Sequence, residues 1–180
     1  PQLVSSINGV NTANTNWQDE VYSAAWTQNL SASISNASEK GSYLFSANYI
    51  NQNGLMDNTF YKRFTGRVNS TYNFSKYVRV GENLMVARWN NRGADANGDR
   101  GIPYSAMRQH PAIPVYSADG VFADPSALLG SDIDNPVQTL YNMRDNTNTS
   151  WRIFGNAYIE IMPIKGLTLK SNVGIEHVQY

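Results

Sequence analysis

The chain has 180 residues with 14 basic and 14 acidic side chains, a balance that excludes a nucleic-acid binder running on bulk positive charge. It has no cysteine, which excludes disulfides and thiolate metal sites. No run approaches the roughly 18 apolar residues of a membrane helix, and the opening Pro1-Gln2-Leu3-Val4 has neither the basic nor the apolar part of a signal peptide.

Charged residues make up only 16% of the chain, below the roughly 25% of a typical domain. Asn, Ser, Thr, Gly and Tyr fill the gap, a set that favours strands and turns. Residues 1–26 read as irregular and polar, with tryptophans at Trp17 and Trp26. Alternation then takes over. Leu30, Ala32 and Ile34 oppose Asn29, Ser31, Ser33 and Ser35, and Tyr43, Phe45, Ala47 and Tyr49 oppose Ser42, Ser46 and Asn48. Leu44 and Ile50 break that second pattern. In the stretch 60–74, Phe60, Phe64, Val68, Tyr72 and Phe74 share one face, against Arg63, Thr65, Arg67, Asn69, Thr71 and Asn73. Lys62 is the exception there. Val78, Val80, Leu84 and Val86 continue the period. After a long gap, Trp151, Ile153, Ile159 and Ile161 oppose Arg152, Asn156, Tyr158 and Glu160, and Leu167, Leu169, Val173 and Ile175 oppose Thr168, Lys170 and Glu176. Six segments of period two predict an all-β chain.

The connections run short, medium, short, very long and short. In an up-and-down meander this sets every tight turn at one rim and every long loop at the other, the asymmetry of outer-membrane barrels. Strands of eleven or more residues suit a tilted crossing, which takes about 9–11. The expected layout is therefore an extracellular loop end over 1–26, strands with short periplasmic turns over 27–90, a long extracellular loop over 91–149 and a hairpin over 150–180. The long loop is rich in apolar residues, so it is expected to fold on itself or pack on a partner.

Several separated motifs keep a familiar order: NTNWQDEVY (14–22), QNLSASISNASEKGSYLFSANYINQNGL (28–55), YKRF (61–64), RVN (67–69), VGENLMV (80–86), PAIPVYSADGVF (111–122) and NPV (135–137). In these the chain resembles the SusC/RagA family of TonB-linked outer-membrane transporters. Asn16 and Asn36-Ala37 depart from that pattern, at a turn or its approach. The resemblance implies a segment of about six strands from an antiparallel up-and-down transmembrane β-barrel of about 22, with the plug and TonB segment outside this chain. It further implies import of an oligosaccharide or peptide across a bacterial outer membrane, a SusD-like surface lipoprotein and TonB as partners, and no chemistry on the substrate. A soluble β-sandwich carbohydrate-binding module and a non-transport adhesion or signalling barrel are the alternatives.

On this reading Phe60, Phe64, Val68, Tyr72 and Phe74 face lipid, while Arg63, Arg67, Asn69 and Glu160 face the lumen or plug. Loop aromatics and cations are the candidates for substrate contact: Trp89, Arg92, Tyr104, Arg108, His110 and Tyr116. No catalytic residue is expected, since neither His110 nor His177 has a nucleophile motif beside it. Asp95, Asn97 and Asp99 have calcium-loop spacing, but the glycine falls one position late and Ala106 stands at the twelfth. A solvated turn is the preferred reading there, and no cofactor is expected.

Overall fold

The computed structural model describes residues 6, 7, 10, 11, 13–94, 96–98 and 100–180. They form two compact units that share the chain between them: a sheet unit (27–52, 61–91 and 148–180) and a loop unit (1–26, 53–60 and 92–147).

The sheet unit is built from β3 (Thr27–Ser38), β4 (Gly41–Asn53), β5 (Phe60–Asn73), β6 (Val78–Arg92), β7 (Asn148–Ile164) and β8 (Leu167–Gln179). They lie in one sheet in chain order, so the expected meander is what forms. The strands run 12 to 17 residues, two to three times the usual length. Connections at 39–40, 74–77 and 165–166 are tight and turn at one rim, and those at 54–59 and 93–147 leave from the other. All six long strands belong to this single sheet, which differs from the two facing sheets of the sandwich alternative.

Register shows that the two faces were assigned consistently across strands. Leu30 pairs with Tyr49, Ala32 with Ala47 and Ile34 with Phe45, while Val78 pairs with Ile161, Val80 with Ile159 and Val86 with Ile153. Cross-strand partners share a face, so the apolar residues of β3 and β4, and those of β6 and β7, share one side of the sheet. That surface is uncovered: Phe64 is 54% exposed and Val173 73%, and soluble monomers rarely leave large apolar patches open. Aromatic pairs mark its tight-turn end, Tyr43 with Phe45 at 5.5 Å and Tyr72 with Phe74 at 4.8 Å between ring centroids. Toward the other end Arg88 lies 5.1 Å over the Trp151 ring, a cation–aromatic contact suited to a membrane interface. Ser70 and Glu82 interrupt this face, the serine hydroxyl donating to Glu82 Oε1 at 3.2 Å. Alternation at single positions did not reveal that break, because Glu82 falls between Val80 and Leu84.

Close strand approach explains one glycine in each of two settings. Gly41 (φ +149°) opens β4 after the turn, and an added Cβ would sit 2.1 Å from the Thr71 carbonyl oxygen. At Gly81 the obstacle is the Tyr158 ring tip, 2.4 Å away, on its cross-strand partner. Backbone cannot yield there as a side chain can. Gly41→Ala is therefore expected to lower the folded fraction of the full-length protein, and Gly81→Ala only to displace Tyr158. Heat-modifiable gel migration checks the order of the two; a larger loss for Gly81→Ala would contradict it.

The loop unit has its own small core. α1 (Trp17–Val21), α2 (Ile102–Arg108), α3 (Pro125–Leu129) and α4 (Pro136–Asn142) accompany a short hairpin of β1 (Ser6–Ile7) and β2 (Val10–Asn11). Trp17, Val21, Ile102, Ala106, Ile113, Ala123 and Leu140 pack together as buried residues. Residues 13–26 are thus not simply irregular, and Trp17 (3% exposed) and Trp26 (56%) have opposite fates. Local chemistry starts three of the four helices. Asp19 and Glu20 lie in the first turn of α1, where a helix N-terminus favours negative charge. Asp124 and Asn135 accept from the first backbone N–H groups of α3 and α4, each followed by a proline at the first helical position. The 53–59 loop is bound to residues 21–26 through Ser23 N–H to Leu55 O (2.9 Å) and Asp57 N–H to Val21 O (3.1 Å).

Candidate functional site

Two surfaces carry the candidate residues, one on each unit. The first is the polar face of the sheet. Asn48 Nδ2 donates to Asn29 Oδ1 (2.7 Å) and Ser31 Oγ (2.8 Å) across β3 and β4. Across β6, β7 and β8, Asn83 donates to Asn156 and Asn156 to Asn172, at 3.1 and 2.9 Å. Glu160 takes Lys170 at 3.0 Å and Arg79 at 3.5 Å, Arg152 meets Glu176 at 2.6 Å, and Arg79 Nε also donates to Asn73 Oδ1 at 2.9 Å. The Thr71 and Tyr158 hydroxyls lie 3.3 Å apart. Each such pair joins residues of the same face on different strands, so the face is a hydrogen-bonded wall and not a scatter of surface polar groups. Met85 and Phe154, cross-strand partners, are an apolar patch within it that alternation did not suggest.

Of the residues expected on this face, Glu160 is held by two cations. Arg67 lies at the apolar patch, with Nη2 3.8 Å from Met85 Sδ. Arg63 Nε and Thr65 Oγ1 are closed off from solvent without a hydrogen-bond partner. Trp89, on the last turns of β6, pairs with Ser150 and is half-buried. On the opposite face Phe64, Tyr72 and Phe74 are exposed, whereas Phe60 and Val68 are partly covered.

The second surface belongs to the loop unit. Residues 13–15 pair with 111–113 through Ala13 N–H to Ala112 O (3.1 Å) and Thr15 N–H to Pro111 O (2.8 Å). Trp17 Nε1 donates to His110 O at 3.1 Å. His110 Nδ1 accepts the Ala112 N–H at 3.1 Å, so its ring closes a turn. Tyr104 and Arg108, one turn apart on α2, make an internal pair: the guanidinium donates to the phenol at 2.5 Å and lies 5.0 Å from its ring centroid. Arg92 stacks in the same way on Phe60, at 5.0 Å.

Tyr116 is different, because it opens an aromatic ridge. Tyr116 and Phe122 bridge as a small hairpin, closed by Ser117 N–H to Val121 O at 2.8 Å and by Ser117 Oγ donating to Asp119 Oδ1 at 2.6 Å. That hydroxyl bond, ahead of the backbone N–H groups, holds the Asp119 carboxyl below its ordinary range. The Tyr116 and Phe122 rings stack at 4.9 Å, Tyr141 lies 5.4 Å from Phe122, and the Arg144 guanidinium covers Tyr141 at 3.8 Å. Asn135 fixes the hairpin to α4, its buried amide donating to Val115 O (2.9 Å) and Ala123 O (3.3 Å). Tyr141 and Arg144 were not among the sequence candidates. The Asn-Pro start of α4 was the available signal, since a capped helix there carries Tyr141 toward the hairpin. Asp95 and Asp99 lie outside the described residues, so the calcium-loop spacing is left as read from sequence.

No protein-family model matches the chain. Its sequence is 32% identical over 169 residues to TonB-dependent receptor P3 of Formosa agariphila, across 90% of this chain and 16% of that protein. It is 28% identical over 162 residues to TonB-dependent receptor SusC of Bacteroides thetaiotaomicron, across 89% and 15%. Among solved structures it resembles the RagAB peptide importer in its open-open state (TM-score 0.73, 24% identity, 96% of this chain and 19% of that one). The RagAB peptide transporter is similar too (TM-score 0.71, 25% identity, 97% and 20%). The chain spans about one-sixth of the length of the curated relatives it matches.

Proposed function

Because the chain is a barrel segment of the SusC/RagA family of TonB-linked outer-membrane transporters, we propose that it forms part of an importer for oligosaccharides or peptides. The observation that carries this reading is the two-faced sheet: one side mainly apolar and exposed, the other a connected polar wall. In a bilayer the first face meets lipid and the second lines a lumen. Among the described residues β3 and β8 each pair on one side only, and unpaired strand edges are not stable in hydrocarbon. Strands outside this chain therefore close the barrel.

In this reading the loop unit is the part that meets substrate. Tyr116, Phe122 and Tyr141 offer flat rings with a guanidinium beside them, which suits the faces of sugar rings or a peptide backbone. Trp89, Arg92, Tyr104, Arg108 and His110 are further candidates for substrate contact, of which Tyr104 with Arg108 and Arg92 with Phe60 already pair within the protein. A SusD-like surface lipoprotein would present ligand to this side, and TonB would act on the plug. No group here is asked to break a bond in the cargo.

The test is uptake by cells carrying the full-length receptor. Labelled oligopeptides and oligosaccharides should enter receptor-positive cells and not a deletion strain, and an uncoupler should stop entry. A Tyr116→Ala/Tyr141→Ala double substitution should reduce uptake about tenfold by removing stacking contacts while leaving receptor levels unchanged. Equal uptake by the deletion strain for every probe would sink the import reading.

A further inference from the structure

Two cations interrupt the lipid-facing side toward the long-loop rim. Lys62 and Arg88 stand on it by parity, with Phe64 and Val68 on β5 and with Leu84 and Val86 on β6. Three contacts, Arg67 with Met85, Ser70 with Glu82 and Asn73 with Arg79, set β5 against β6 at one register. On that register Arg88 lies opposite Phe64 and Lys62 opposite Asn90. The two cations are then diagonal neighbours, about 7–8 Å apart. On its other side Arg88 pairs with Trp151, whose ring lies under the guanidinium at 5.1 Å. Both cations are exposed, and Trp151 beside them is 41% exposed.

Depth and charge say what meets them. Tyr72 belongs to the aromatic end of this face, beside the tight turns, and Val80 stands opposite it. From Val80 to Arg88 is about 26 Å along β6, or about 20 Å across a bilayer at the usual tilt, most of an apolar band about 25 Å tall. Arg88 therefore reaches the far headgroup level, and Lys62 lies one step beyond it. Arg88 has no carboxylate partner among the described residues. Glu160 and Glu176 serve cations of the polar face, and Glu39 lies in a tight turn. Glu82, on the same face as Arg88, is about 20 Å back along β6. We propose that Arg88 and Lys62 bind the phosphate of an anionic lipid in the leaflet beside the long loops. Trp151 holds the guanidinium by its flat side and leaves its N–H edge to grip two phosphate oxygens, while the lysine adds a point charge. Like charges this close repel each other, and one phosphate between them turns that repulsion into attraction. The acyl chains of the same molecule fall along Phe64, Val86 and Ile153, toward the middle of the band. A soluble anion gains nothing from that apolar surface, which selects a lipid as the occupant. The site goes beyond the import reading: it needs the lipid-facing assignment and nothing about cargo.

The test titrates full-length receptor in neutral detergent with dioleoylphosphatidic acid or dioleoylphosphatidylcholine and counts bound lipid by native mass spectrometry. Wild type should hold its first phosphatidic acid about tenfold more tightly than phosphatidylcholine, as expected for charge-assisted contacts. Lys62→Gln/Arg88→Gln should bring the two lipids within about twofold of each other. Lys40→Gln/Lys76→Gln, at the tight-turn rim, should keep the wild-type preference. Should the first double variant fail to reach the membrane, Arg88→Lys replaces it. That change keeps the charge, loses the two-pronged grip and should weaken phosphatidic acid about threefold. A preference that survives at Lys62 and Arg88, or that is lost in the turn variant instead, overturns the proposal. So does displacement of the lipid by inorganic phosphate as readily as by phosphatidic acid, which would make this a soluble-anion site. Receptor dimers that disappear in Lys62→Gln/Arg88→Gln with lipid binding unchanged would put a second copy on this face and overturn it as well. Uptake is read separately. A missing lipid preference with normal uptake removes this inference alone, and absent uptake with the preference kept removes the import reading alone.

Discussion

Val68→Arg is expected to abolish most membrane insertion of the full-length protein, and Arg67→Ala to leave it nearly intact. The two residues are neighbours near the middle of β5, and they point to opposite faces because side chains alternate along a strand. An arginine on the lipid face at the bilayer midplane costs about 2–4 kcal/mol, which is roughly a 30- to 900-fold shift in an insertion equilibrium. Truncating Arg67 removes a long contact to Met85 Sδ and no apolar area from lipid, so its effect on insertion should stay below about 1 kcal/mol. The folded, membrane-embedded fraction of each variant is read by heat-modifiable migration of washed membranes. Similar losses from both would mean that the faces have been exchanged, and the lumen assignment of Asn69 and Glu160 would go with them.

Legibility in the sequence followed from which interactions are local. Strand identity is a period-two pattern, and each of the six segments showed it without help from its neighbours. Parity then carries over between strands, because the register pairs Leu30 with Tyr49 and Val86 with Ile153. Leu44 and Ile50 were exceptions to alternation and remain so: they pair with Ser35 and Asn29 on the polar face. The loop unit was harder to read for a physical reason. Its helices have five to seven residues, too few for a 3.6-residue period to repeat convincingly. Its core joins Trp17 to Ile113 and Leu140, contacts between distant segments that no window of sequence contains. The aromatic ridge has the same origin, since Tyr116, Phe122 and Tyr141 meet only because Asn135 ties the hairpin to α4. Asp124-Pro125 and Asn135-Pro136 were readable as helix starts from capping chemistry alone.

Trp17→Ala is the second large effect to expect, and it separates the loop unit from the sheet. Trp17 is 3% exposed, packs with Val21 and five residues of the 102–140 region, and donates from its indole to His110 O at 3.1 Å. Removing a buried tryptophan side chain costs about 3–5 kcal/mol through lost contacts and the void left behind. The core it leaves has only a few small and medium side chains, so there is little to offset such a loss. The strands do not depend on it: their ladders and paired wall residues lie within the sheet unit. Limited proteolysis of intact cells should therefore cut Trp17→Ala receptor within residues 93–147 much faster than wild type, while the heat-modifiable barrel signal is kept. Trp17→Phe keeps most of the apolar volume and loses the indole donor, so it should cost about 1 kcal/mol plus the unpaired carbonyl and resist protease nearly as well as wild type. If Trp17→Ala instead removed the barrel signal, the two units would fold as one, and the loop core would be a condition for insertion rather than a platform added to it.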